Sequence, residues 1–120
     1  METKTPTHAL KVVQVPVGKL KPWDRNPRIN DVAAERLSRL IGKYGFVNPI
    51  VATRDGVIRA GHTRLKAAMH LGLKTVPVLY VDLGSEEEAQ AFSIADNRSS
   101  EWAEWDPAQL HAICSDLKAA

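Results

Sequence analysis

The stretch NPIVATRDGVIRAG, residues 48–61, limits the possible folds more than any other part of this chain. Two apolar runs flank Asp55-Gly56, a dipeptide that tolerates the positive φ angles of a tight hairpin turn, so the spacing predicts two short antiparallel strands. The second run passes through Gly61 into HTRLKAAMHLG. There the pattern becomes helical from about His62 to Leu71, with Leu65, Ala68 and Met69 on the buried side and Gly72 as the terminator.

Around this unit the signals alternate. LKVVQVPV, residues 10–17, is valine-rich and alternating, as a strand is, and Pro16 ends it or places it at a sheet edge. GKLKPWDRNPRIND follows as a long loop whose residues before Pro22 and Pro27 are biased toward extended geometry. Loops of that length in small domains often carry function. Asp31 can cap a helix to about Tyr44, with Ala33, Leu37, Leu40, Ile41 and Tyr44 at helical spacing and Gly45 as the stop. TVPVLYVDL, residues 75–83, reads as an apolar strand. Ser85 with Glu88 three residues on is a capping-box pattern opening a helix to about Arg98, and a last helix starts near Asp106-Pro107. This order predicts an α+β domain, a small mixed β-sheet with packed helices, over residues 10–105 after a loose polar tail at 1–9. The apolar stripe of the last helix, Leu110, Ile113, Cys114 and Leu117, is unfinished at residue 120. Residues 106–120 are therefore expected to lead into a further region, with Cys114 buried on the stripe. Trp102 and Trp105 are expected to anchor the turn between the last two helices.

With 120 residues and 44% apolar content the chain can bury a core without a disulfide or structural metal. One cysteine makes no internal disulfide, and the first ten residues hold no apolar run like a signal peptide. A cytoplasmic setting without membrane contact is the expectation. The net charge of +2 permits contact with nucleic acid or nucleotide without demanding it. His8, His70 and His111 lack metal-ligand spacing.

The corner at Gly61 carries the chemistry. A strand that runs through glycine into a helix leaves the first helical N–H groups unpaired and pointing outward, which suits an anion. Gly61 admits close approach, Thr63 adds a hydroxyl donor, and Arg64 offers a planar fork matching phosphate oxygens. The same residues also fit a plain tight turn, a helix start and a solvated side chain. His62 has two readings as well: a general base or phosphate donor near neutral pH, or an ordinary surface histidine. Trp23 either stacks on a base from the long loop or packs on the core.

GFVNPIVATRDGVIRAGHTRLKAAMHLGLKTVPV resembles the central region of the ParB/sulfiredoxin-like domains, often called ParB-like nuclease domains. The shared features are a helix ending in glycine before a PI strand, a short hairpin, and a G-x-x-R-x-x-A turn, here Gly61, Arg64 and Ala67. NPR, Asn26 to Arg28, and ADNRSSEW, Ala95 to Trp102, are similar to the flanking boxes of that family, so the resemblance spans roughly residues 11–105. It implies a site for a nucleoside triphosphate, CTP or ATP, with Mg²⁺. By motif position Gly61, His62, Thr63 and Arg64 would hold phosphates together with Arg28. Asp96, Asn97 and Arg98 would complete the site, Asp96 and Asn97 at the metal, and Gly45 and Pro49 would shape the wall near base or sugar. Asp96 and Asn97 are oxygen donors suited to a Mg²⁺ that keeps several waters, though they also fit a frayed helix end. Segregation proteins of the family resemble GERR where this chain has GHTR, which separates its nucleotide preference from theirs. Sulfiredoxins resemble GCHR, with a nucleophilic cysteine where this chain has His62, so sulfiredoxin chemistry is not expected.

The implied function is a nucleotide-binding module of a DNA-associated protein, linked to a DNA methyltransferase or to plasmid or phage DNA maintenance. A homodimer is compatible with it. Slow nucleotide hydrolysis, a metal-dependent nuclease or small-molecule kinase of the same fold, and a protein-interaction domain with a vestigial pocket are the alternatives. The basic residues are spread out and no helix-turn-helix is visible, so DNA contact by this chain is expected to be weak and non-specific.

Overall fold

The computed structural model describes residues 10–24, 31–102 and 105–119, with side chains described at 10–24, 31–99 and 105–118. The polar tail at 1–9, His8, Arg28 and the side chain of Trp102 lie outside the described residues. The elements are β1 (Val12–Pro16), a 3-10 turn (Val17–Lys19), α1 (Asp31–Tyr44), β2 (Ile50–Ala52), β3 (Ile58–Ala60), α2 (His62–His70), β4 (Thr75–Tyr80), α3 (Glu86–Trp102) and α4 (Pro107–Ala119). The strands form one sheet in the order β1-β4-β2-β3. β1 runs antiparallel to β4 and β2 antiparallel to β3, while β2 and β4 are parallel. The α+β expectation of a small mixed sheet with packed helices is therefore what the chain builds.

The parallel β2–β4 pair needs a crossover, and β3 with α2 supplies it. Its core is small and aliphatic: Ile50, Ala52, Ile58, Val76 and Val78 from the sheet meet Leu65 and Ala68 of α2, with Val15 and Leu20 at the margin. Burying each of the larger aliphatic side chains contributes roughly 1.5–3 kcal/mol. α1 and α2 pack against each other, and the Lys66 ammonium donates to Asp31 at 2.7 Å across that contact.

Several sequence expectations shift when the elements pack. Met69 is 63% exposed, and Ala67 is the residue buried together with Leu65 and Ala68. On α1 the buried positions are Ala34 and Ile41 rather than Ala33, and Leu40 and Tyr44 remain largely exposed. Periodicity sets the angle of a stripe, but the neighbouring helix decides which edge of it is covered. The strand expected over 75–83 ends at Tyr80, and the helix expected to stop near Arg98 continues to Trp102. Cys114, expected to be buried, is exposed together with Ile113 and Leu117, and Trp105 is 78% exposed rather than an anchor. Two caps are as expected: Ser85 Oγ accepts the Glu88 N–H, and Asp106 Oδ1 accepts the N–H groups of Ala108 and Gln109; Asp31, expected to cap α1, is instead its first residue, with its carboxylate turned to Lys66.

The hairpin turn at Asp55-Gly56 also fastens the loop that follows the 3-10 turn. Lys21 N–H donates to the Gly56 carbonyl at 2.8 Å, and Ile58 N–H donates to the Lys21 carbonyl at 2.9 Å. Gly56 has φ +88°, and a Cβ there would sit 2.8 Å from the Lys19 carbonyl oxygen. Left-handed backbone disfavours any L side chain, and here the obstructing atom is backbone that cannot swing away. Gly56→Ala is expected to destabilise the domain by about 2 kcal/mol or more, read as a lower midpoint in urea unfolding; an unchanged midpoint would mean that the loop is not seated on the turn.

Candidate functional site

β3 delivers the chain to Gly61, which adopts φ 98°, ψ 25°, and α2 begins at the next residue with no side chain capping it. The backbone donors of the first turn are thus left for a ligand or water. A Cβ on Gly61 would lie 3.3 Å from Ile50 Cα and 3.5 Å from the Arg64 guanidinium. Glycine is needed both for the left-handed turn and because β2 passes directly beneath it.

Arg64 is half-buried, against the expectation of a solvated side chain. It lines a cavity of about 220 Å³ whose other walls include Leu37, Leu40, Ile41 and Tyr44 of α1 and Gly45 to Asn48 of the following loop. The partly exposed apolar side chains of α1 thereby form a wall beside a single guanidinium. Among the described residues no carboxylate pairs with Arg64. A larger cavity of about 330 Å³ lies between the hairpin turn and the start of α3, but its lining carboxylates, Asp55, Asp82 and Glu86, outnumber its one cation, Arg54, and disfavour an anion.

The structure brings together Gly61, Arg64 and Gly45, with His62 and Thr63 half-buried in the same first turn. Pro49 is half-buried next to Asn48 but does not line the cavity. Asp96, Asn97 and Arg98 lie on α3, where Asp96 and Arg98 are exposed and Asn97 is half-buried, and none of them lines the Arg64 cavity. No group of three or more His, Cys, Asp or Glu suited to a metal ion occurs among the described residues. One carboxylate and one amide oxygen fit a Mg²⁺ only if the ligand's phosphates and water complete its shell. No helix among the described residues is long and apolar enough to cross a membrane.

Nε2 of His62 accepts the backbone N–H of Trp23 at 3.0 Å. Burial, and then the nearby Lys66 and Arg59 cations, push the His62 pKa down to about 4. A neutral ring whose Nε2 accepts a proton must carry its own on Nδ1, so at neutral pH the ring is a donor with its basic nitrogen engaged. Trp23 itself is buried at 6% exposure, which selects core packing over the stacking alternative.

Sequence reasoning missed Arg59. Its side chain is 1% exposed, with Nη1 and Nη2 donating to the two Glu86 oxygens at 3.2 and 2.7 Å and Nε donating to Thr53 Oγ1 at 3.1 Å. An arginine centred in a three-residue strand between Ile58 and Ala60 was the available signal. The Arg59 hydrogen bond holds Glu86 below the usual carboxylate range, and the Thr53 hydroxyl does the same for Asp55. Stability from such depressed carboxylates is complete above their unfolded values near pH 4 and is lost as pH falls through the lowered ones.

These features define a class before they define a family: a small mixed sheet in which a glycine corner opens a helix beside an arginine-edged cavity. The same fold occurs in a C-terminally truncated chromosome-partitioning protein ParB from Caulobacter crescentus complexed with CTP-gamma-S, with TM-score 0.68 and 26% identity over 80% of this chain and 56% of that one. A second structure of that protein, complexed to the centromeric parS site, matches with TM-score 0.57, 27% identity and 71% and 46% coverage. Sulfiredoxin from Arabidopsis thaliana matches with TM-score 0.57, 26% identity and 68% and 96% coverage. In sequence, the ParB-like nuclease domain-containing protein YnaK of Escherichia coli is 33% identical over 84 residues, 68% of this chain and 94% of that protein. The ParB N-terminal domain matches residues 1–98, and the chain belongs to that family. It spans only about half of the Caulobacter chain.

The clamp around Arg59 generates an ordering of variants. Arg59→Met leaves a carboxylate that water can solvate and is expected to cost about 2 kcal/mol, the net value of its lost hydrogen bonds. Glu86→Ala leaves the buried cation only Thr53 and the more distant Asp55 carboxylate at 4.0 Å, so the double variant Asp55→Ala/Glu86→Ala, which strands it, should have an unfolding midpoint in urea below that of Arg59→Met. The reverse order would show that Arg59 contributes packing alone.

Proposed function

We propose that this chain is a nucleotide-binding module that takes phosphates at the Gly61 to Arg64 corner and sets the nucleoside against the apolar wall beside Arg64. The observation that carries this reading is a guanidinium with no carboxylate partner among the described residues, on the rim of an apolar cavity and next to a helix start whose N-cap is a glycine. CTP is the first ligand to test, because the Caulobacter ParB that shares the fold is complexed with CTP-gamma-S. ATP follows, because GHTR departs from the GERR turn of segregation proteins. Arg28 and Arg98 would add phosphate contacts, and Asp96 with Asn97 would hold Mg²⁺ once the phosphates complete its shell. The module would serve a DNA-associated protein, such as a methyltransferase or a plasmid or phage maintenance protein, in the cytoplasm. Binding is favoured over nuclease or kinase chemistry because Nε2 of His62, the expected base, is engaged by the Trp23 N–H.

Arg64→Ala is expected to weaken binding of CTP with Mg²⁺ by roughly 1.5–3 kcal/mol, the range for a charge-assisted hydrogen bond. Calorimetry on wild type and variant, with ATP, GTP and ADP as competitors, measures this. Intact affinity in the variant, or no affinity for any nucleotide in the wild type, would remove the reading.

Duplex DNA should bind at micromolar affinity or weaker in physiological salt, with little sequence preference and with further loss as salt rises. Electrophoretic shifts on specific and scrambled duplexes at two salt concentrations check this. Tight, salt-resistant and selective binding would reveal a reading surface in these residues.

A further inference from the structure

Trp23 is buried although it lies in a loop, and two sets of hydrogen bonds explain how that loop is held. On one side Lys21 exchanges backbone hydrogen bonds with Gly56 and Ile58 of the hairpin. On the other the Trp23 N–H donates to Nε2 of His62, the first residue of α2 and 39 positions later in the chain. Backbone donors buried without a partner are costly, and the His62 lone pair meets a requirement that no backbone acceptor among the described residues meets.

We propose that His62 is a positioning residue: by accepting the hydrogen bond of the Trp23 N–H it straps the loop from Lys21 to Asp24 across the head of α2, beside the phosphate corner. The consequence for ligand rests on the nucleotide reading above; the strap itself does not. It also gives GHTR a role, because histidine supplies a neutral acceptor where a carboxylate would bring charge to an anion site.

Protonation of His62 removes the acceptor. Among the described residues the charges that act on it are Lys66 of its own helix and Arg59 of β3. Lys66 is paired with Asp31, and Arg59 with Glu86 and Asp55. Lys66 and Arg59 oppose a second charge on the ring. A histidine with a depressed folded value contributes stability that is present above its unfolded value near 6.5 and is lost as pH falls from there through about 4. The strap should therefore hold at neutral pH and open in acid.

Amide hydrogen exchange at Trp23 in the full chain, with Val78 of the sheet core as internal reference, tests the proposal. In wild type the Trp23 protection factor should fall as pH drops through about 4 while that of Val78 persists. His62→Ala should lower protection at Trp23 at least tenfold at pH 7 and leave Val78 within twofold. His62→Asn, whose amide oxygen is an acceptor that does not titrate, should restore protection and abolish its pH dependence. Equal protection at Trp23 in wild type and His62→Ala would overturn the strap, and so would losses that only track Val78. If His62→Ala weakens CTP binding while Trp23 stays protected, His62 contacts the ligand directly and the positioning role is wrong. If the wild type binds no nucleotide, the nucleotide reading and the ligand consequence fall, and the exchange data alone decide whether the strap exists.

Discussion

A buried guanidinium organises this domain. Arg59 sits in the shortest kind of strand, three residues with both faces covered, and a cation there must find acceptors within its own reach. It finds them in Thr53 at the start of the hairpin turn and in Glu86 in the first turn of α3. One side chain thereby fixes the relation between the hairpin and α3, while Ile58, its neighbour on the opposite face, joins the aliphatic core with α2. The bidentate geometry specifies orientation as well as proximity, which an apolar residue of the same volume would not.

The corner inherits its position from that arrangement. β3 is held by β2 on one side and by the Arg59 clamp on one face, so Gly61 emerges at a defined place and α2 leaves in a defined direction. Ile50 passes 3.3 Å from where a Cβ of Gly61 would lie, so a larger residue would crowd β2 as well as strain the left-handed backbone. The absence of a capping side chain is then a consequence of the glycine. Among the described residues no side chain closes the helix start, which leaves it open to a ligand. Arg64, one turn in, leans over this opening and faces an apolar wall supplied by α1, which the Lys66–Asp31 pair helps hold against α2.

Membership of the ParB N-terminal domain family rests on order and spacing that a single motif would not provide. Between Gly61 and Arg64 of the corner, His62 faces the loop at Trp23. The histidine is read better as part of the scaffold of the site than as its reactive group. The exposed apolar stripe of α4, with Ile113 and Leu117 largely solvated, contributes nothing to this arrangement among the described residues.

Local sequence determined the elements and the corner. Asp55-Gly56, Gly61, the cap at Ser85 and the cap at Asp106 act through backbone geometry and hydrogen bonds within a few residues, and each is where the pattern puts it. Which side of a helix is buried was only partly legible. Met69 and Tyr44 satisfy the helical period, yet they lie at the edge of their stripes and the neighbouring element stops short of them. The Arg59 clamp and the Trp23–His62 contact could not be read from the chain, because they join residues 27 and 39 positions apart whose local patterns give no sign of each other. Only folding, by closing the sheet through the β3–α2 crossover, brings a loop amide to a helix-start imidazole and a strand arginine to a helix-start carboxylate. A buried polar group takes whichever partner the packed backbone places within hydrogen-bond distance, and tertiary structure alone sets that distance.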